Sequence, residues 1–164
     1  MSPIPRVTES TRERVAREFD QLGPDACMAK IMGDLEQHNP EVLDMMSKCA
    51  ADFGNSTKIM QGLGMFYRLL VVQLRTDVGE SLLNLPPRVT PDTRDLIVRQ
   101  IDANGSEAFT MESIADLEAT NPELLQTAHN FASRHRDYLG VMQGFALLYK
   151  SLVLQSFADR AFLQ

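Results

Sequence analysis

The chain has 164 residues, 44% of them hydrophobic and 23% charged, which are globular values far from the disordered range. Its net charge of −6 divides evenly, with 9 basic against 12 acidic residues in the first half and 7 against 10 in the second. No basic face is signalled, so nucleic acid and anionic membranes are disfavoured as partners.

Taken in chain order, the elements come in two series. Displaced by 82 residues, the first half lies on the second without a gap, and 26 of the 82 pairs are identical. The reading is therefore a tandem duplication, with copy one at 1–82 and copy two at 83–164. The first predicted helix opens at Thr8 and Thr90, hydroxyl residues fitted to cap free N–H groups, and ends at Gly23 and Gly105. Its apolar stripe is Val15/Phe19 in one copy and Ile97/Ile101 in the other. The second begins near Asp25 and Glu107 and carries Met28, Met32 and Leu35, matched by Thr110, Ile114 and Leu117.

Asn39-Pro40-Glu41, repeated as Asn121-Pro122-Glu123, is the sharpest local signal. Proline disfavours helix for the residue before it, and Asn, Pro and Glu in that order suit the N-cap and first turn of the third helix. The stripe of that helix is Val42, Met46, Cys49 and Phe53, against Leu124, Ala128, Phe131 and His135. His135 is expected at a frayed helix end, facing water. The fourth helix opens at Asn55 and Asp137 and runs to about Asp77 and Asp159. It is apolar over most of its circumference, with a polar stripe expected near Gln61, Arg68 and Arg75, so it should be the buried axis of each copy. The joint Asn84-Leu85-Pro86-Pro87 is too short to hold two domains apart. The fold class expected is all-α: a duplicated 82-residue four-helix unit packed as an intramolecular pseudo-twofold bundle with one shared core.

Chemistry is hard to find in these residues. His38, His129 and His135 have no Glu-x-x-His or His-x-x-x-His partner, and the two cysteines are ungrouped, so no metal site or cofactor is expected. Cys27 and Cys49 stand where copy two has Phe109 and Phe131, which reads as buried, reduced thiols serving as hydrophobes. Asp102-Ala103-Asn104-Gly105-Ser106 lacks the glycine position and terminal glutamate of a calcium loop. Phosphate-binding and nucleophile-elbow motifs are absent. The repeated acids Asp34/Asp116 and Glu36/Glu118 read as a solvated face, with Arg12/Arg94 and Arg17/Arg99 pairing to them. The chain therefore leans away from catalysis.

Two constellations remain. Met60-Gln61-Gly62 and Tyr67 recur as Met142-Gln143-Gly144 and Tyr149. A helix-interior glycine costs about 1 kcal/mol against alanine, so its repetition implies close helix approach. If Gly62 meets Gly144, then Gln61, Tyr67, Gln143 and Tyr149 border an inter-repeat seam or ligand pocket. Methionine is the other: seven of nine lie in copy one. Flexible thioethers fill cores but also line adaptable grooves, and adjacent Met45 and Met46 cannot both face one core. Met28, Met32, Met45 and Met46 are thus the expected partner-binding residues.

The function expected is a non-enzymatic adaptor that engages a helix or peptide of another protein; the alternative is a small-ligand binder with an apolar cavity between repeats. Apolar runs such as Leu69-Leu70-Val71-Val72 are too short to span a bilayer, and Met-Ser-Pro-Ile-Pro-Arg lacks a signal-peptide pattern. A cytoplasmic monomer or homodimer is expected.

Overall fold

The structure, a computed structural model, describes residues 4–79 and 85–163; the expected copy boundary at 82/83 and Asn84 of the joint lie outside them. The described residues form eight α-helices and no strand. The first four are α1 (Glu9–Leu22), α2 (Pro24–His38), α3 (Pro40–Ala51) and α4 (Ser56–Val78). The others are α5 (Pro91–Asn104), α6 (Ser106–Thr120), α7 (Pro122–Ala132) and α8 (Tyr138–Leu163).

Local chemistry sets most boundaries. Thr8 and Thr90 accept hydrogen bonds from the Thr11 and Thr93 amides, capping α1 and α5. Gly23 and Gly105 have φ of 83° and 88°, a region costly for any residue with a Cβ. Each serves at once as the end of one helix and the start of the next. Helix α2 consequently begins at Pro24, immediately after that glycine.

The two long helices are the interior of the molecule. Helix α4 packs against α1, α2 and α3 and also against α7 and α8; α8 packs against α5, α6 and α7 and also against α3 and α4. One buried apolar cluster contains side chains of both halves, among them Leu35, Val42, Phe66 and Leu70 with Leu117, Leu124, Phe145 and Leu152. Phe66 and Phe145 meet where α4 crosses α8, ring centroids 5.2 Å apart. The polar stripe expected on α4 is corrected at Arg68, which is 7% exposed. Its guanidinium donates from Nε to Glu18 Oε1 at 2.8 Å and from Nη2 to Glu18 Oε2 at 3.1 Å. Burial opposes the Glu18 charge, but the Arg68 hydrogen bonds and charge outweigh it and hold the carboxyl below its ordinary range. In the second half the matching positions are Gln100 and Lys150, and the pair has no equivalent.

Asn39 departs from its expected capping role. Helices α3 and α7 have no side-chain cap. Instead Asn39 Nδ2 donates to the Pro87 carbonyl (2.7 Å) and its Oδ1 accepts from the Val89 amide (3.0 Å). Asn121 does the same to Pro5 (2.7 Å) and Val7 (3.0 Å). Arg12 pairs with Glu123 (2.6 Å) and Arg94 with Glu41 (2.9 Å), so these arginines reach α7 and α3 of the opposite half, where α2 and α6 acids had been expected. Within each half, Gln73 Oε1 accepts from the Thr8 amide and both Thr8 and Thr11 hydroxyls, and Gln155 does so from Thr90 and Thr93. Every one of these partners sits 82 residues from its equivalent.

Gly62 and Gly144 are buried against helices, though against different ones than expected. A Cβ at Gly62 would overlap the Phe131 ring on α7, and one at Gly144 would meet Cys49 Sγ on α3. Gly62→Ala should therefore destabilise by about 1–3 kcal/mol through overpacking, despite the gain in helix propensity. Gly33→Ala, in open space on α2, should stabilise by about 1 kcal/mol. Urea melts of both variants check the pair of signs. Asn39→Ala strands a buried amide and carbonyl of the other half and should cost about 2–6 kcal/mol at the 1–3 kcal/mol typical of each orphaned group. The same melts measure it, and Asn121→Ala should match it.

Candidate functional site

Two grooves open where the halves meet. The larger, about 430 Å³, lies between α3, α5 and α8. Met45, Cys49 and Phe53 from α3 and its C-terminal end face Ile97, Val98 and Ile101 of α5 across Gly144 and Leu147 of α8. The second, about 410 Å³, lies between α7, α1 and α4, with Phe131, Val15, Ala16, Gly62 and Met65 at the equivalent positions. They differ most at one pair: Phe131 fills its groove floor, packed edge-on to Phe145 at 5.9 Å, whereas Cys49 stands in the first. Beneath Cys49 a small void of about 10 Å³ remains among Met45, Met46, Gly144, Leu147 and Leu148.

The rim of the first groove is charged. Lys48 pairs with Asp44 (3.1 Å), and Arg94 binds both Asp44 (2.7 Å) and Glu41 (2.9 Å). Hydrogen bonds from Arg94 and Lys48 hold the Asp44 carboxyl below its ordinary range. Both cations are thus already paired, while Asp52 and Asp137 add two exposed carboxylates. The Asp137 carboxylate also accepts from the Gly140 amide at the start of α8. Burial, with the Asp52 charge adding to it, pushes the Cys49 thiol up to about 11. A thiol so raised is protonated at neutral pH and is a poor nucleophile.

A third pocket, about 360 Å³, lies between α2 and the first turns of α4, lined by Met28, Met32, Met60 and Gln61 with Asp25, Ala29, Ser56 and Thr57. Among the described residues no group of three His, Cys, Asp or Glu is placed to hold a metal ion, and no helix is long and apolar enough to cross a membrane.

The expected seam residues are dispersed. Gln143 and Gly144 line the first groove, Gly62 the second and Gln61 the third pocket. Tyr67 is buried against Asn39 and Asp34, and the Tyr149 hydroxyl lies 3.1 Å from Asp116 Oδ2 and 3.1 Å from Thr120 on α6. Burial pushes both phenols up to about 12. Gln61, Tyr67, Gln143 and Tyr149 therefore do not surround one cavity, because each tyrosine turns towards the second helix of its own half. The methionines divide as well. Met46 (2% exposed) and Met28 (7%) belong to the core, so only Met32 and Met45 offer surface. His135 is half-buried, stacked on Phe131 at 4.8 Å with Nδ1 on the Phe131 carbonyl, and not simply facing water.

Sequence reasoning missed Val98 and read Phe53 as part of the core stripe of the third helix, which ends at Ala51 and leaves Phe53 at the groove. Val98 is 51% exposed beside the groove, and its partners across the groove are more than 40 residues away in sequence. Comparison with family models, curated proteins and solved structures gave no match.

The raised Cys49 thiol makes a kinetic prediction. Against a thiol at the ordinary 9, a shift to about 11 cuts the thiolate fraction at pH 8 by about 100-fold. Because the more basic thiolate is the stronger nucleophile and returns part of that loss, iodoacetamide labelling of Cys49, followed by peptide mass, should be slower by about tenfold and rise about tenfold per pH unit up to pH 10.

Proposed function

We propose that this chain is a non-catalytic binding protein that takes an amphipathic helix of another protein in the α3/α5/α8 groove. The observation that carries the reading is the combination in that groove of an apolar floor with an acidic rim. Met45, Phe53, Ile97, Ile101 and Leu147 supply apolar contact along three helices, and Val98 stands half out of it. Because Lys48 and Arg94 are neutralised by their own partners, Asp52 and Asp137 set the sign of the rim. A helix with apolar anchors at i, i+3/i+4 and i+7 and basic flanks complements both features. Burying each anchor gives about 1.5–3 kcal/mol, and a flexible methionine accommodates anchors of different shape.

The wider proposal is that the groove arises from a tandem duplication of an 82-residue four-helix unit packed about a pseudo-twofold axis. Helices recurring at that offset support it, as do reciprocal bonds of the kind an isologous dimer makes, in which residue i meets j and the equivalent of j meets that of i. On this reading both grooves are inter-repeat sites, and the Cys49/Phe131 difference specialises one of them.

The test is a selection of peptides displayed at random against the purified protein. Selected sequences should show helical apolar spacing and basic flanks. Met45→Asp should keep the helical spectrum and melting point yet lose those peptides, while Met46→Asp, placing a charge in the core, should unfold the protein. Undiminished binding by Met45→Asp overturns the reading.

A further inference from the structure

We infer that the pocket between α2 and α4 is a binding site for a soft monovalent cation, Cu(I) in chemical class, held by the thioethers of Met28, Met32 and Met60. Three of its eight lining residues are methionines. Met28 and Met32 are one turn apart on α2, so both project from one helix face, and Met60 lines the same pocket from the first turns of α4. Thioethers are soft ligands that select Cu(I) over the harder divalent ions, whereas calcium or magnesium would need several carboxylates. Here the oxygen donors are Asp25, Gln61, Ser56 and Thr57, with a single carboxylate among them. That one negative charge offsets a monovalent cation and falls short of a divalent one.

The surroundings suit an exchangeable ion. Met28 is at the base, its sulfur and methyl pressed towards the backbone of Gly64, and Met32 stands 39% exposed at the rim. The two α2 ligands thus run from core to solvent, with an entry path, and the three rotatable bonds of each methionine let the sulfurs converge. Packing calls for bulk at Met28, which fills the space beside Gly64, but bulk alone requires a thioether neither there nor at Met32. The equivalent positions of the second half are Thr110, Ile114 and Met142, where the same helix pair is joined with one thioether in place of three. The helix-docking groove uses none of these residues, so the two proposals stand or fall separately.

Ag⁺ is the probe, a redox-stable ion of the same softness, read on protein carrying ¹³C at the methionine methyls. A Cys27→Ala/Cys49→Ala chain removes the competing thiols. Should that chain not fold, the wild-type titration carried past two equivalents reads the same methyls. The methyl signals of Met28, Met32 and Met60 should shift together and saturate at one equivalent, leaving Met111 and Met142 in place. Met32→Leu and Met60→Leu, close to isosteric and expected to fold, should each weaken Ag⁺ binding about tenfold or more, and Met142→Leu should not. If the three methyls stay still, or if all methionines shift gradually without saturation, the site does not exist.

Discussion

The structure depends on two buried asparagine side chains that hold the backbone of the opposite half. Asn39 and Asn121 are 0% and 1% exposed, and each exchanges a donor and an acceptor with an extended segment before a first-turn threonine cap. Those segments, around Pro5–Val7 and Pro87–Val89, have no helix to satisfy their backbone groups and would otherwise be buried unpaired. The asparagines remove that cost and in doing so hold the segments that lead into α1 and α5 against the opposite half. The salt bridges Arg12–Glu123 and Arg94–Glu41 lie close by, from the first turn of one helix to the first turn of another. They are partly exposed and stabilise modestly; their geometry reinforces a register that the asparagines set.

Once that register is set, small residues decide how near the helices come. Gly62 admits the Phe131 ring and Gly144 admits Cys49, so α7 lies against α4 and α3 against α8. The halves then diverge in compensating ways. A Cβ at Gly64 would press on Met28 and approach Ile31; its equivalent, Ala146, carries that methyl, and the positions matching Met28 and Ile31 hold the smaller Thr110 and Ser113. Volume added at one site is removed at its neighbours, as dense packing demands. Glu18 and Arg68 are a charged pair confined to one half, where each desolvated group is tolerable only because the other is present.

These constraints place the grooves at the junction of the halves. Helix α3 is drawn towards α8 by the Gly144 contact and held near α5 by Arg94, which leaves a trough over Cys49 and Leu147 instead of a closed core. The methionine-lined pocket has a different origin. It lies within one half, where α4 begins beside α2, and every residue that lines it belongs to that half. Two recessed surfaces of distinct chemistry therefore follow from one bundle, one apolar with an acidic rim and one rich in thioether sulfur.

The helices and most of their ends were legible in the residues themselves, because threonine caps, positive-φ glycines and Asn-Pro breaks act over one turn of chain. The buried character of α4 and α8 was legible too, since a helix with almost no polar face has nowhere else to go. Side-chain destinations were not. The Asn in Asn-Pro-Glu reads as a cap by local chemistry, yet its amide is spent on backbone 48 to 50 residues away, a partner that exists only after the halves meet. Arg68 reads as solvent-facing until Glu18 arrives from α1. Gln61, Tyr67, Gln143 and Tyr149 read as one seam because they share a helix pattern, but helix rotation turns each to a different neighbour. Local sequence determined where the chain is helical and which faces are apolar. Which polar group satisfies which, and where a groove is left open, was decided by tertiary packing, because those energies belong to pairs of atoms far apart in the chain.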